Sequence, residues 1–111
     1  QNGKLKIDYA AGCVYLNGEE LHLTPIEYKL LCLLSHNVGK VLTHTYITQQ
    51  IWGSSRENDI ASLRVFMATL RKKLEPQKDS PQYIQTHIGV GYRMLRVDWE
   101  KRENKADTFR I

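Results

Sequence analysis

The side chains best suited to binding a polyanion are concentrated in one segment, residues 60–75. Arg64 and Arg71 stand seven residues apart, and Lys72 and Lys73 follow directly. On a helix, residues seven apart lie on the same side, so the two arginines form one margin of a surface. A guanidinium is a planar fork of N–H donors that matches a phosphate or the O6 and N7 atoms of guanine. The pattern indicates contact with a phosphate polymer, in which the arginines discriminate between bases and the lysines contact phosphates.

Small side chains occupy the middle of the same surface. Val65 and Ala68 lie opposite the apolar positions of the segment, and Ser62 and Thr69 lie beside them. A DNA major groove about 12 Å wide admits a helix whose exposed centre is not bulky. Valine and alanine suit thymine methyl groups, while the hydroxyls suit phosphates. The alternative interpretation is an ordinary amphipathic surface helix with solvated lysines.

The basic charge of the chain is unevenly distributed. The whole chain has a net charge of +4. Residues 60–96 hold seven lysines and arginines against two acidic residues, whereas residues 1–59 hold five against six. A local surplus of this kind is typical of an electrostatic footprint for nucleic acid, although basic solvated surfaces are common.

Three helices are predicted to carry this surface. Thr24, Pro25 and Glu27 are typical of a helix start with a capping box, and this first helix ends near Asn37 and Gly39. A second helix is predicted from about Thr43 to Trp52, ended by Gly53, and a loop at 54–59 follows. Spacings of three and four predict the third helix at 60–75, through the apolar positions Ile60, Leu63, Met67, Leu70 and Leu74.

Short strands are predicted on both sides of the helices. The segments LKID, CVYL and EELHL, with an Asn17-Gly18 turn, predict an N-terminal antiparallel sheet at about 4–23. Segments 83–87 and 91–97 predict a hairpin with glycines at its bend. The fold class is therefore α+β, and the order of sheet, three helices and hairpin outlines a winged helix-turn-helix.

The predicted hairpin tip, or wing, has two interpretations. In the first, side chains at the tip enter the minor groove or hold phosphates. In the second, Tyr92 and Ile88 pack on the body of the domain. Trp52 is similarly either a core residue or a phosphate contact through its indole N–H.

The runs LTPIEYKLLCLL, GKVLT, IWG, LRVFMATLRKKLE and YIQTHIGVGYRM occur in this order, and together they resemble the effector domain of OmpR/PhoB-type bacterial response regulators over residues 5–97. Within that family the chain is most similar to regulators of potassium transport. The resemblance implies a four-stranded N-terminal sheet, three helices and a wing. It also implies a preceding receiver domain, a sensor kinase partner, head-to-tail binding to direct repeats of double-stranded DNA, and contact with RNA polymerase through residues 53–59.

The outward side of the third helix, the hairpin tip and the family resemblance together predict a set of DNA-binding residues. Its members are Trp52, Ser62, Arg64, Val65, Ala68, Thr69, Arg71, Lys72, Lys73, Thr86, His87, Tyr92 and Arg93. The sequence departs from PhoB-like members at Phe66, Thr69 and Ile88, where histidine and arginines are expected. Isoleucine offers no hydrogen bond in a minor groove.

Other functional classes find little support in the residues. Cys13 and Cys32 are expected to be reduced, buried thiols, and the four histidines lack metal-ligand spacing, so neither a metal site nor a cofactor is expected. No catalytic constellation, membrane span or signal segment is recognisable, which predicts a non-enzymatic cytoplasmic protein. Residues 1–97 are expected to form the domain and residues 98–111 a charged tail. The alternative function is a winged helix that binds protein rather than DNA.

Overall fold

The computed structural model describes residues 1–97, so the predicted tail at 98–111 lies outside the described residues. Nine elements follow in order: β1 Leu5–Asp8, β2 Cys13–Leu16, β3 Glu19–Leu21, α1 Pro25–Ser35, β4 Val41–Thr43, α2 His44–Trp52, α3 Glu57–Leu74, β5 Ile84–His87 and β6 Gly91–Met94. Within this part of the chain, no helix combines the length and apolarity needed to cross a membrane. The predicted order of sheet, three helices and hairpin is confirmed.

The N-terminal sheet is antiparallel in the order β1-β2-β3. Asn17 and Gly18 both have positive φ angles, 55° and 81°, as the tight turn between β2 and β3 requires. Leu5 pairs with Leu16 across the first two strands, and both side chains are buried. The family resemblance implied four strands in this sheet. That prediction is wrong, because the sheet has three strands within residues 1–97.

The start of α1 follows the predicted capping box. The Thr24 hydroxyl accepts a hydrogen bond from the Glu27 amide, and the Glu27 carboxylate accepts one from the Thr24 amide. These bonds satisfy two of the amides that every helix start leaves unpaired. The helix then buries Leu30, Leu31 and Leu34 in the core.

The second helix ends as predicted, because Gly53 adopts a left-handed conformation with φ 77° and stops the winding. The third begins earlier than predicted: α3 starts at Glu57 rather than at residue 60. The Asp59 carboxylate accepts hydrogen bonds from the Arg56 amide and the Ser54 hydroxyl. Acidic residues in a first turn also complement the helix dipole. The predicted loop at 54–59 is therefore helical in its second half.

A second antiparallel sheet has the order β4-β6-β5. β4 was not predicted, because its three residues are too few to show a period, and both hairpin strands are shorter than predicted. Gly91 lies where β6 passes β4, and a Cβ atom built on it would lie 1.8 Å from the backbone oxygen of Leu42. Only a residue without a side chain permits this approach.

The core forms where α3 packs against both α1 and α2. Four of its predicted apolar positions are fully buried, namely Leu63, Met67, Leu70 and Leu74, while Ile60 is half-buried. Burial of each such side chain contributes about 1.5–3 kcal/mol. This burial determines which side of α3 faces solvent.

Two glycine substitutions test the packing of the second sheet. Gly91→Ala is expected to destabilise the domain by about 3 kcal/mol, since the added methyl group overlaps backbone atoms that cannot move independently. Gly89→Ala meets no neighbouring atom within 4 Å, and only its left-handed φ of 75° opposes it, at about 1 kcal/mol. Urea unfolding followed by circular dichroism measures both. Equal losses would contradict the packing role of Gly91.

Candidate nucleic-acid interface

The outward side of α3 is a surface of mostly small side chains, with the cationic side chain of Arg64 at its edge. Ala61, Val65, Ala68 and Lys72 are all exposed, directly opposite the buried stripe. Val65 is 62% exposed, which is unusual for a valine on a helix packed against a core. The structure therefore brings together the small residues predicted to enter a groove.

Arg64 lies at the edge of this surface, close to the start of α2. His44, the first residue of α2, is half-buried, and its ring forms a T-shaped contact with the ring of Tyr92 at a centroid distance of 5.5 Å. Burial, and then the positive charge of Arg64, lower the pKa of His44 below its usual value. Sequence reasoning missed His44 because nothing in the spacing of residues 44 and 64 indicates that they are neighbours.

Arg71 has a different environment from Arg64, although the two were predicted to act together. Its Nη2 donates a hydrogen bond of 2.7 Å to the Thr86 hydroxyl on β5. The side chain is half-buried, and its Nε is buried without a hydrogen-bond partner among residues 1–97. Arg71 therefore joins α3 to the wing, and Arg64 is the more exposed of the two.

Lys73 points towards α1 and not along the groove-facing surface. Its Nζ donates to Glu27 at 2.7 Å and to the backbone oxygen of His22 at 3.0 Å. Burial opposes the charged form of Glu27, but hydrogen bonds from Lys73 and from the Thr24 amide outweigh it and hold its pKa at about 2. Lys73, a predicted DNA contact, thus has its partners at and just before the start of α1. The hydroxyl of Thr69, another predicted contact, donates to the Phe66 oxygen of the same helix at 2.9 Å.

The wing residues are divided between the two faces of the second sheet. Alternation along β5 and β6 places Thr86 and Tyr92 on one face, and they are register partners. Arg93 lies on the other face, where its guanidinium donates to Gln85. The structure therefore places Arg93 on the opposite face of the sheet from Thr86 and Tyr92.

Tyr92 is 6% exposed and packs in the core, as one interpretation predicted, whereas Ile88 is 94% exposed and does not pack on the body. His87 is half-buried, and its Nε2 has no hydrogen-bond partner within the described part of the chain. The wing tip therefore presents an apolar side chain to solvent.

The remaining predicted residues lie nearer the core. Trp52 is half-buried beside Phe66, with ring centroids 6.1 Å apart, and Ser62 is half-buried on the flank of α3. Cys13 and Cys32 are free thiols, but both are half-buried rather than fully buried as expected.

Comparisons with known proteins agree with this arrangement. Residues 18–94 match the family model described as "Transcriptional regulatory protein, C terminal". The transcriptional regulatory protein KdpE of Staphylococcus aureus is 43% identical over 102 residues, which cover 91% of this chain and 43% of the relative. KdpE of Escherichia coli is 42% identical over 89 residues, covering 80% and 40%. The cell cycle response regulator CtrA of Brucella anthropi is 36% identical over 102 residues, covering 92% and 44%. The chain spans about two fifths of the length of these relatives.

Solved structures share the fold. The DNA-binding domain of CpxR from E. coli superposes with a TM-score of 0.76 at 26% identity, covering 88% of this chain and 96% of that one. The Klebsiella pneumoniae RstA DNA-binding domain, solved in complex with the RstA box, has the same TM-score and identity and covers 86% and 94%.

The Glu27–Lys73 pair predicts a specific loss of stability in acid. Because the pKa of Glu27 falls from 4.5 to about 2 on folding, the stability contributed by its charged form is complete above pH 4.5 and is lost as pH falls towards 2. Glu27→Gln should lower the free energy of unfolding at neutral pH by about 1–3 kcal/mol and flatten that part of the pH profile. Glu20→Gln, at an exposed position on β3, is the control. Equal profiles for the two variants would contradict this role for Glu27.

Proposed function

The chain belongs to the OmpR/PhoB-type family of C-terminal transcriptional regulatory domains, and from this premise we propose that its α3 surface reads the DNA major groove while the wing contacts the adjacent backbone and minor groove. Its fold is the winged helix of DNA-binding domains. Double-stranded DNA is therefore its ligand, and control of transcription is its role.

The observation that carries the proposal is the continuity between α3 and the wing. The Arg71–Thr86 hydrogen bond holds the wing against the same helix whose small side chains face outward. A helix and a neighbouring hairpin held in this way can contact adjacent parts of a duplex together. Binding then costs little conformational entropy, because the two elements do not have to be ordered first.

Within this surface we assign different roles to the basic residues. Arg64 is exposed and reads a base, with Val65 and Ala68 contacting thymine methyl groups or the groove floor. Lys72 is exposed and contacts phosphate. For Arg71 and Lys73, their contacts with Thr86 and Glu27 support a positioning role.

The longer relatives suggest what the whole protein does. We propose that this domain is joined to a receiver domain controlled by a sensor kinase, acts in the cytoplasm and binds direct repeats as a head-to-tail pair. The similarity to two relatives named KdpE supports potassium-transport genes as the targets. The similarity to the cell cycle response regulator CtrA supports a wider range of target genes. Contact with RNA polymerase is proposed for residues 53–59. This segment consists of the four-residue connection between α2 and α3 and the first turn of α3.

A protein-interaction role is the second candidate, and one observation favours it: two large apolar side chains, Val65 on α3 and Ile88 at the wing tip, are exposed. The dependence of binding on salt separates the two functions. Neutralisation of phosphates makes DNA binding fall steeply with salt, whereas apolar protein contacts are far less sensitive.

Selection of bound duplexes from a random library tests the proposed function. We expect enrichment of two direct half-sites, with an affinity that falls steeply between about 50 and 200 mM salt. Failure to enrich any motif, together with salt-insensitive binding to a protein partner, would support the second candidate instead.

Arg64→Ala is expected to weaken binding to the selected duplex by about 1–3 kcal/mol and to relax the preference at one base pair. Lys72→Ala is the matched control on the same helix. It should weaken selected and random DNA alike and reduce the salt slope by about one unit. Fluorescence anisotropy titrations over a salt series measure both variants. Equal losses on selected and random DNA for Arg64→Ala would remove its base-reading role.

A further inference from the structure

The wing tip is a tight turn with an isoleucine at its corner. The Val90 amide donates to the His87 oxygen at 2.9 Å, and Gly89 has a φ of 75°, as the third position of such a turn requires. Ile88 stands just before this glycine and is 94% exposed, while Val90 is 49% exposed. A side chain as large as isoleucine is seldom so open to water in a folded domain.

The turn is held in place from two sides. The Thr86 hydroxyl accepts the hydrogen bond from Arg71 of α3, at the end of β5 before the turn. After the turn, the Val90 oxygen accepts a hydrogen bond of 3.0 Å from the His44 amide at the start of α2. Ile88 is therefore presented at a defined position relative to both helices of the helix-turn-helix.

The charged side chains near the tip have partners elsewhere. The segment from 87 to 91 reads HIGVG and contains no lysine or arginine. Arg71 donates to Thr86, and Arg93 donates to Gln85 on the opposite face of the sheet. Contact made by the tip itself is therefore dominated by apolar surface and not by charge.

We propose that Ile88 is a specificity-determining residue that packs into the DNA minor groove next to the site of α3 and excludes G·C base pairs there. This inference rests on the proposed function. The minor groove is about 6 Å wide, and its A·T and G·C pairs differ chiefly by the 2-amino group of guanine, which projects from the groove floor. A branched aliphatic side chain offers that amine no acceptor and competes with it for space, whereas A·T pairs leave the floor open.

The test uses the half-site duplex returned by the selection, in which each flanking base pair is in turn A·T, G·C or inosine·cytosine. Inosine lacks the 2-amino group but leaves the major-groove atoms of guanine in place. We expect the unmodified chain to bind A·T and inosine·cytosine duplexes alike at the wing position and the G·C duplex about three- to tenfold more weakly. Ile88→Ala should lose this discrimination and bind the A·T duplex about three- to tenfold more weakly, in keeping with lost apolar contact.

Salt dependence separates an apolar contact from an electrostatic one. Ile88→Ala should leave the salt slope unchanged, because no phosphate contact is lost. Ile88→Arg should steepen the slope by about one unit, because it adds a cation at the same position. Val38→Ala is the matched control: Val38 is also an exposed aliphatic residue, but it lies near Met94, at the end of β6 away from the tip. This variant should behave as the unmodified chain does.

Three outcomes would overturn the proposal. One is an unchanged preference for inosine·cytosine over G·C in Ile88→Ala. Another is a melting temperature of Ile88→Ala so much lower that partial unfolding of the variant explains its weaker binding. The third is a loss seen only on duplexes with two half-sites, which would assign Ile88 to contact with a second copy of the chain. If the unmodified chain selects no duplex at all, the proposed function itself fails, and this outcome is distinct from the other three.

Discussion

The buried stripe of α3 is the constraint on which the rest of the molecule depends. Leu63, Met67, Leu70 and Leu74 are fully buried, and rotation of the helix about its axis would expose several of them at once. Since each buried side chain contributes about 1.5–3 kcal/mol, that rotation is prohibited. The outward line of small residues is therefore held in position by the core behind it, and the surface offered to DNA is a consequence of packing.

Charged side chains in this domain serve two purposes that composition does not distinguish. Some build the domain: Lys73 neutralises a buried carboxylate at the start of α1, and Arg71 joins α3 to the wing. Others, Arg64 and Lys72, remain exposed on α3. The basic surplus of the middle third of the chain thus overstates the charge that is available to a ligand, because part of it is neutralised or held by contacts inside the domain.

The position of the wing tip depends on both backbone and side-chain contacts. Gly91 lets β6 approach β4 closely, and the same sheet buries Tyr92 beneath the wing while leaving Ile88 at its corner. A hairpin held by Thr86 and Val90 presents that corner without further ordering. Ile88 therefore gives the wing tip an apolar side chain whose position is fixed by the contacts of Thr86 and Val90.

Local chemistry was sufficient to predict much of this from the sequence. The Thr24–Glu27 capping box, the Asn17-Gly18 turn and the helical spacing of α3 depend on residues within a few positions of one another, so their outcome can be derived along the chain. Only the tertiary structure decided the partners of the basic residues, since Arg71 meets a strand 15 residues away and Lys73 meets a helix start 46 residues away. It also decided the short strand β4, which exists because β6 pairs with it. Spacing along the sequence predicts which side of an element a residue occupies, but the neighbour it meets there depends on how separate elements pack together.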